Sequence, residues 1–212
     1  TAAAAPASPA PVPAGAAAGH LLAGALAGRR QGETVRFPQP VSICGSTYTS
    51  AAVLREFKTA TRAVLVQLQP GTTLFICKFE DVRGEHALMC AMRQMNQRWR
   101  RGGLAISGVA LEVLTYNIVA LGTQVGLVEV VPNSKTLCDL SQGVPLGDRH
   151  LRVARALQGD PRRLDRLAAT TAAFLTACYV LGFRDGHDDN IMLRSDGSLF
   201  RIDLGFCFGR TP

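Results

Sequence analysis

The sequence predicts an α/β (α+β) fold of two lobes, a small β-rich one followed by a mainly helical one that is cut short at the C-terminus. Three observations predict it. Extended, β-branched runs come in pairs around turn signals over residues 62–78 and 112–131. A long apolar pattern of helical period follows over residues 164–181. The chain then returns to a short extended pair around Asp196-Gly197.

The N-terminal stretch, residues 1–32, is dominated by Ala, Pro and Gly and offers little large apolar surface to offset ordering, so it is expected to be a disordered tail. Pro6, Pro9, Pro11 and Pro13 ahead of the apolar patch Leu21–Ala27 argue against a signal peptide. The folded domain is then expected over residues 33–212, with the small lobe ending near 131. The chain lacks an initiating Met and stops at Pro212, so it reads as a fragment.

Val64, Leu65, Val66 and Leu68 lead into Pro70-Gly71, and Thr73 to Lys78 returns, a β-hairpin. From Glu85, the residues Leu88, Met92, Met95 and Trp99 recur at helical spacing until Gly102-Gly103, predicting a helix with that stripe in the core. Glu112 to Leu121 and Gly126 to Val131 are read as the next two strands. Leu164, Leu167, Thr171, Phe174, Cys178 and Leu181 alternate steps of three and four, a long buried helix opened near Pro161 and closed at Gly182. Asp148-Arg149-His150 is read as the start of a helix or a charged loop.

Composition narrows the function. With 212 residues, 47% hydrophobic content and a mean hydropathy of +0.14, the chain can build one sizeable core or much of a two-lobed one. A net charge of +7 and a pI near 9.5 suit an anionic partner. The charge is carried by Arg, since Lys58, Lys78 and Lys135 are the only lysines, and no aromatic-interleaved basic motif points to nucleic acid. The cysteines at 44, 77, 90, 138, 178 and 207 form no CxxC pair and read as buried reduced thiols. No apolar run reaches the roughly 20 residues of a membrane span. Localisation is therefore expected to be cytoplasmic, with any membrane contact peripheral.

The chemistry is concentrated in DGHDDNIMLRSDGSLFRIDLG, residues 185–205. Ile191, Met192 and Leu193 run into the Asp196-Gly197 turn, and Leu199, Phe200 and Ile202 resume. Such a hairpin brings Asn190 beside Asp203, two hard oxygen donors that leave room for phosphate oxygens on magnesium. Asp185 precedes Asn190 by five positions, the spacing between the base and the metal-binding Asn of a phosphotransferase catalytic loop. Asp185 is thus the candidate base or orienter of an attacking hydroxyl, and His187 takes the proton or stabilises charge on the phosphoryl group. Lys78, at the end of a strand ahead of a helix with Glu85 in its first turn, is placed to order nucleotide phosphates.

At these residues the chain resembles the phosphatidylinositol 3-/4-kinase superfamily, whose loops read GDRHNDNIM and LFHIDFG where this chain has FRDGHDDNIM and LFRIDLG. GLVEVVPNS, residues 126–134, resembles the family hinge GLIEVVPNS, and FKTATRAVL, residues 57–65, resembles its phosphate-binding loop FKSAxxPL. KFEDVRGE, residues 78–85, resembles KxGDDLRQD but is one residue shorter. The resemblance covers roughly residues 57–212. It implies a protein-kinase-like fold with ATP as co-substrate and magnesium, or manganese in its place, as metal. In it Thr59 and Lys78 contact phosphates, the Glu129 carbonyl and Val131 amide read adenine, and Tyr116 lines the inner adenine pocket. Asp81, Glu85 and Asp189 support the site, Asn190 and Asp203 hold the metal, and Asp185 with His187 is catalytic.

Three departures stand out: Gly186 replaces the family's Arg, Arg201 its His and Leu204 its Phe. The implied acceptor is an inositol-lipid hydroxyl at a membrane surface, with regulatory protein subunits as further partners and no nucleic acid. An atypical Ser/Thr protein kinase and a nucleotide-binding pseudokinase or scaffold remain as rival readings.

Overall fold

A computed structural model describes residues 14–43, 45–57, 63–183, 186–205 and 207, a mixture of helix and strand as expected. In chain order it contains α1 (Ala14–Leu26), β1 (Thr34–Ile43), β2 (Ser46–Glu56), β3 (Val64–Gln69), β4 (Leu74–Lys78), α2 (Arg83–Arg101), β5 (Ala105–Ile106) and β6 (Val109–Ala110). Then follow β7 (Ile118–Ala120), β8 (Gly126–Glu129), β9 (Ser134–Thr136), α3 (Arg152–Ala156), α4 (Pro161–Leu181), β10 (Ile191–Arg194) and β11 (Leu199–Arg201). The chain divides into two compact units, Thr1–Val82 with Val119–Leu127, and Arg83–Ile118 with Val128–Pro212. α2 and the segment after it, Arg83–Ile118, belong to the second unit.

The first unit is built on antiparallel pairing of β1 through β4, continued by β8 and β7 in the order β1-β2-β3-β4-β8-β7. Alternation does the work in β3, where Val64, Val66 and Leu68 are buried between less buried neighbours. β1 and β2 had no counterpart in the sequence reading. Pro38 and Pro40 interrupt β1, and the register slips between Arg36 and Val41 so that Val35, Phe37, Val41 and Ile43 all reach the core.

The N-terminal stretch also needs correcting, because residues 14–26 are helical rather than part of a disordered tail. Ala18, Leu22 and Leu26 recur at i, i+4 and are buried in the core of the first unit, the two leucines completely. Burying each leucine contributes about 1.5–3 kcal/mol, which a purely compositional reading of this Ala-rich segment overlooks.

In the second unit, α2 carries Glu85 in its first turn and Arg98, Arg100 and Arg101 in its last, both favourable to the helix dipole. Its buried face runs through Glu85, Leu88, Met89, Met92 and Asn96. Met95 and Trp99, expected in the core stripe, are only partly buried, because the face is rotated toward Asn96. The Asn96 side chain donates to the Val113 carbonyl at 2.8 Å and accepts from its amide at 2.9 Å. Arg93 donates to the Tyr116 carbonyl at 2.8 Å, and a His86 ring nitrogen lies 2.6 Å from the Ile118 carbonyl. With these backbone groups taken by side chains of α2, only β7 of the expected strand Glu112 to Leu121 is a regular strand. Asn96→Ala leaves both backbone groups of buried Val113 without that partner and is expected to cost about 2–4 kcal/mol in denaturant unfolding. The same change at exposed Gln97 is expected to cost less than about 0.5 kcal/mol. Equal losses would refute the assignment.

α4 opens where Pro161 predicts: the Asp160 carboxylate accepts from the Arg162 and Arg163 amides, and Gly182, at φ 62°, closes it. Its buried face is Ala169, Thr170, Ala173, Phe174, Ala177 and Leu181, while Leu164 is exposed and Thr171 and Cys178 are half-buried. Small residues dominate that face because α4 packs closely on β11. By length and composition alone α4 would suffice to cross a membrane, contrary to the expectation that no segment would. Asp148-Arg149-His150 forms a 3-10 turn leading into α3, as anticipated. Among the described cysteines Cys77 is buried, its thiol pushed up to about 12 by burial, whereas Cys90 is exposed rather than buried. All five described cysteines are free thiols.

Candidate functional site

The β10–β11 hairpin forms as the Asp196-Gly197 signal requires. Ile191, Met192 and Leu193 pair with Arg201, Phe200 and Leu199, and β9 flanks β10 on its other side. Within the turn the Ser198 amide donates to the Asp196 carboxylate at 3.0 Å and the Gly197 amide to the Arg194 carbonyl at 2.9 Å. Burial alone would raise the Asp196 carboxyl, but the Ser198 amide and hydroxyl, with Arg194 and Arg166, hold it below the usual range. Gly197 stands at φ 94° with the Arg163 carbonyl of α4 against the place a Cβ would take. Nearby the Thr170 hydroxyl donates to the Arg166 carbonyl at 2.9 Å and accepts from the Leu199 amide at 3.0 Å. α4 thereby fixes where the hairpin stands, a connection the sequence reading missed because it took Thr171 rather than Thr170 for the inward residue.

At the open end of the hairpin the Ile202 amide donates to the Asn190 carbonyl at 2.9 Å, which brings the chain at Asp203 back next to Asn190. Asn190 is buried and Asp203 exposed. Asp203 adopts φ 58°, a left-handed conformation that costs most non-glycine residues about 1–2 kcal/mol. Leu204 beside it is completely buried and anchors the strand, so the Phe-to-Leu difference preserves the apolar contact. Ahead of the hairpin, the Asn190 amide donates to the His187 carbonyl at 3.0 Å, closing a turn over Asp188 and Asp189. His187 is exposed, its Nδ1 3.7 Å from the Asp189 carboxylate. The Asp188 carbonyl accepts from the Cys138 amide at 3.1 Å and its carboxylate pairs with Arg152 at 2.9 Å. A hydrogen bond with Asp189 and that carboxylate's charge push the Cys138 thiol up.

Behind the hairpin lies Tyr116. It is buried, its hydroxyl donates to the Arg201 carbonyl at 3.2 Å, and its ring meets Phe200 edge-on at 6.2 Å. Burial first, then the Glu85 and Asp203 carboxylates, push its hydroxyl far up, so it acts only as a neutral donor. Glu85 is itself buried in the first turn of α2. The Glu129 amide donates to the Asn117 carbonyl at 2.9 Å, and its carboxylate accepts from the Asn117 amide at 3.0 Å. The Val131 carbonyl accepts from the Ser134 hydroxyl at 2.7 Å.

In the first unit, Lys78 ends β4 with its ammonium 3.4 Å from Glu80, and Asp81 is exposed in the loop that follows. Thr59 and Asp185 lie outside the described residues. Among the expected residues, then, His187, Asp189, Asn190 and Asp203 stand together at one end of one hairpin, with Tyr116 behind it. No cluster of three His, Cys, Asp or Glu residues suited to a metal occurs among the described residues. One carboxylate and one amide oxygen instead suit magnesium, which takes few protein ligands beside phosphate and water. Arg201 is buried, and along the sequence it was marked only as a departure from the family pattern.

The family model described as Phosphatidylinositol 3- and 4-kinase matches residues 159–212, which include α4, the loop and the hairpin. Phosphatidylinositol 3-kinase 1 of Dictyostelium discoideum is 28% identical over 141 residues, 61% of this chain and 9% of the relative. Phosphatidylinositol 3-kinase 3 of the same organism is 29% identical over 143 residues. The nodule isoform of phosphatidylinositol 3-kinase from Glycine max is 26% identical over 190 residues, 85% of this chain but 22% of that protein. The chain thus spans less than a quarter of the length of each of these three relatives.

Proposed function

We propose that this chain, a stretch of a phosphatidylinositol 3-/4-kinase-like catalytic domain, serves an ATP- and magnesium-dependent kinase that transfers the γ-phosphoryl group to the 3- or 4-hydroxyl of an inositol lipid. The observation that supports this reading is the base of the β10–β11 hairpin, where the Ile202 amide donates to the Asn190 carbonyl and the chain at Asp203 returns next to Asn190. Magnesium, or manganese, would be held by Asn190 and Asp203 and would offset charge on the phosphates. Phosphoryl transfer asks little covalent chemistry of the protein, so the chain's own residues position and polarise. In this reading Asp185 orients the lipid hydroxyl and accepts its proton, and His187 stabilises charge on the moving group. His187 is exposed beside Asp189, as a group meeting a substrate must be. Tyr116 keeps the hairpin strand in place from behind rather than touching nucleotide, a change from its expected role that its buried hydrogen bond to Arg201 favours. Lys78 and Thr59 act on the ATP phosphates, Glu129 and Val131 on the adenine, and Glu85 and Asp81 in support. A two-lobed kinase-like fold, a cytoplasmic location with peripheral membrane contact, and regulatory protein subunits belong to the same proposal.

The test is to offer radiolabelled ATP to the intact protein with phosphatidylinositol vesicles and, separately, with a protein substrate. Label in the lipid is the expected result. Label in protein alone would replace the lipid acceptor, magnesium-dependent ATP binding without any turnover would make the chain a pseudokinase, and no ATP binding by folded protein would overturn the kinase reading altogether.

A further inference from the structure

We propose that Cys90 on α2 is a modification site: with His86 as its base, its thiol exchanges with small-molecule disulfides of the glutathione class and carries one half of the reagent as a mixed disulfide. This inference is independent of the functional reading, since it needs neither nucleotide nor lipid. Among the described cysteines Cys90 is the exposed one, whereas Cys77 is buried and Cys138, Cys178 and Cys207 are partly buried. Exposure alone makes an ordinary thiol. What sets Cys90 apart is the residue one turn before it. Side chains four apart on a helix are neighbours, and the Cys90 Sγ lies 3.6 Å from the His86 Nε2, within hydrogen-bonding reach of a sulfur.

A third group decides the direction of that bond. The other ring nitrogen, Nδ1, is 2.6 Å from the Ile118 carbonyl. A carbonyl only accepts, so in the neutral ring the hydrogen is on Nδ1 and Nε2 turns its lone pair to the sulfur. The thiol is therefore the donor. A nucleophile, a base within reach of its proton and a third group that fixes the base in one tautomer are the parts of an activated cysteine. All three belong to the second unit, and His86 and Cys90 are both exposed, so a reagent reaches the pair without entering the core. The surrounding helix favours an anionic reagent. The acid of α2 is Glu85, which is buried, whereas Arg93 is held one turn past Cys90 by the Tyr116 carbonyl and the Asn117 side chain, and Arg98, Arg100 and Arg101 follow.

As the Cys90 sulfur attacks one sulfur of the disulfide, its proton passes to His86 Nε2. The new S–S bond forms while the old one breaks, and the electron pair of the old bond leaves on the second sulfur, which takes the proton back from Nε2 and departs as a thiol. Cys90 is oxidised to the mixed disulfide, the departing half is reduced, and attack by a second thiol reverses the step.

The experiment incubates the intact protein with glutathione disulfide at neutral pH and follows adduct formation at each cysteine by peptide mass spectrometry, in parallel with His86→Asn. Asparagine keeps an N–H in the place of Nδ1 for the Ile118 carbonyl and removes the Nε2 acceptor. Adduct on Cys90 is expected, at a rate about tenfold lower in His86→Asn with an unchanged unfolding midpoint. An unchanged rate in folded His86→Asn, or adduct chiefly on another cysteine, would overturn the proposal. Should His86→Asn fail to fold, the comparison passes to Gln97→Cys in a Cys90→Ser background, which puts an exposed thiol on the same helix with Arg93 rather than a histidine one turn before it. That thiol is expected to react about tenfold more slowly than Cys90 does, and equal rates would reject His86 as the base.

Discussion

Gly197→Ala is expected to be the most destabilising single-methyl substitution in the second unit, lowering unfolding free energy by roughly 3–4 kcal/mol. Two penalties combine. At φ 94° an alanine is strained, by about 1–2 kcal/mol. Its Cβ would also press on the Arg163 carbonyl closer than van der Waals contact permits, and a backbone group cannot rotate away as a side-chain tip can. Relief by moving α4 is blocked on either side of Arg163, by the Asp160 cap and by the bond between Thr170 and the Leu199 amide. The melting temperature should fall by on the order of 10 °C. Gly143→Ala supplies the control: Gly143 also has positive φ, at 72°, but nothing lies within 4 Å of its missing Cβ. The difference between the two melts measures the contact alone. Equal melts would show that the hairpin is not braced by α4.

Asp203→Gly should do the opposite, removing function while sparing the fold. Asp203 is exposed and left-handed at φ 58°, so glycine relieves its backbone strain, and the entropy that glycine adds to the unfolded chain offsets the gain. Unfolding free energy is expected to stay within about 1 kcal/mol. Lipid phosphorylation in the intact protein should nevertheless drop by about a thousandfold or more, since the carboxylate that would meet magnesium is gone. Strain retained at one exposed acid is what a functional constraint looks like energetically. A variant that is markedly destabilised yet still transfers phosphate would make Asp203 a structural residue and move the metal site elsewhere.

Much of this architecture was legible because it depends on neighbours in sequence. α2 and α4 announce themselves by helical period and by their Gly-Gly and Pro-Gly limits, and both hairpins by turn dipeptides between apolar runs. The pairing of Asn190 with Asp203 follows from such a hairpin without further information. Other features depend on partners far away in the chain. Nothing local says that Leu22 and Leu26 will be buried, or that Pro38 and Pro40 can be accommodated at a register slip. The stretch before β7 carries strand-like residues, yet its backbone groups are taken by Arg93 and Asn96 of α2 instead of a regular strand ladder. On α4 the inward face is set by close approach to β11, which favours Ala169, Thr170, Ala173 and Ala177 over some larger residues of the apolar pattern.

The sequence by itself determined the turn at Asp196-Gly197 and hence the return of the chain at Ile202 and Asp203 to the neighbourhood of Asn190. Only the tertiary structure decided how that hairpin is held, by Thr170 of α4 on the Leu199 amide and by the close approach of Arg163 to Gly197. Gly186 and Arg201 read along the chain as a charge lost from the loop and a cation added near the strand, because nothing in a linear pattern says which side chain fills which space. Folding returns β11 against the end of α4 and places the Arg201 guanidinium at Phe183 and Gly186. A buried charge must find its compensation in three dimensions, whatever its separation in sequence.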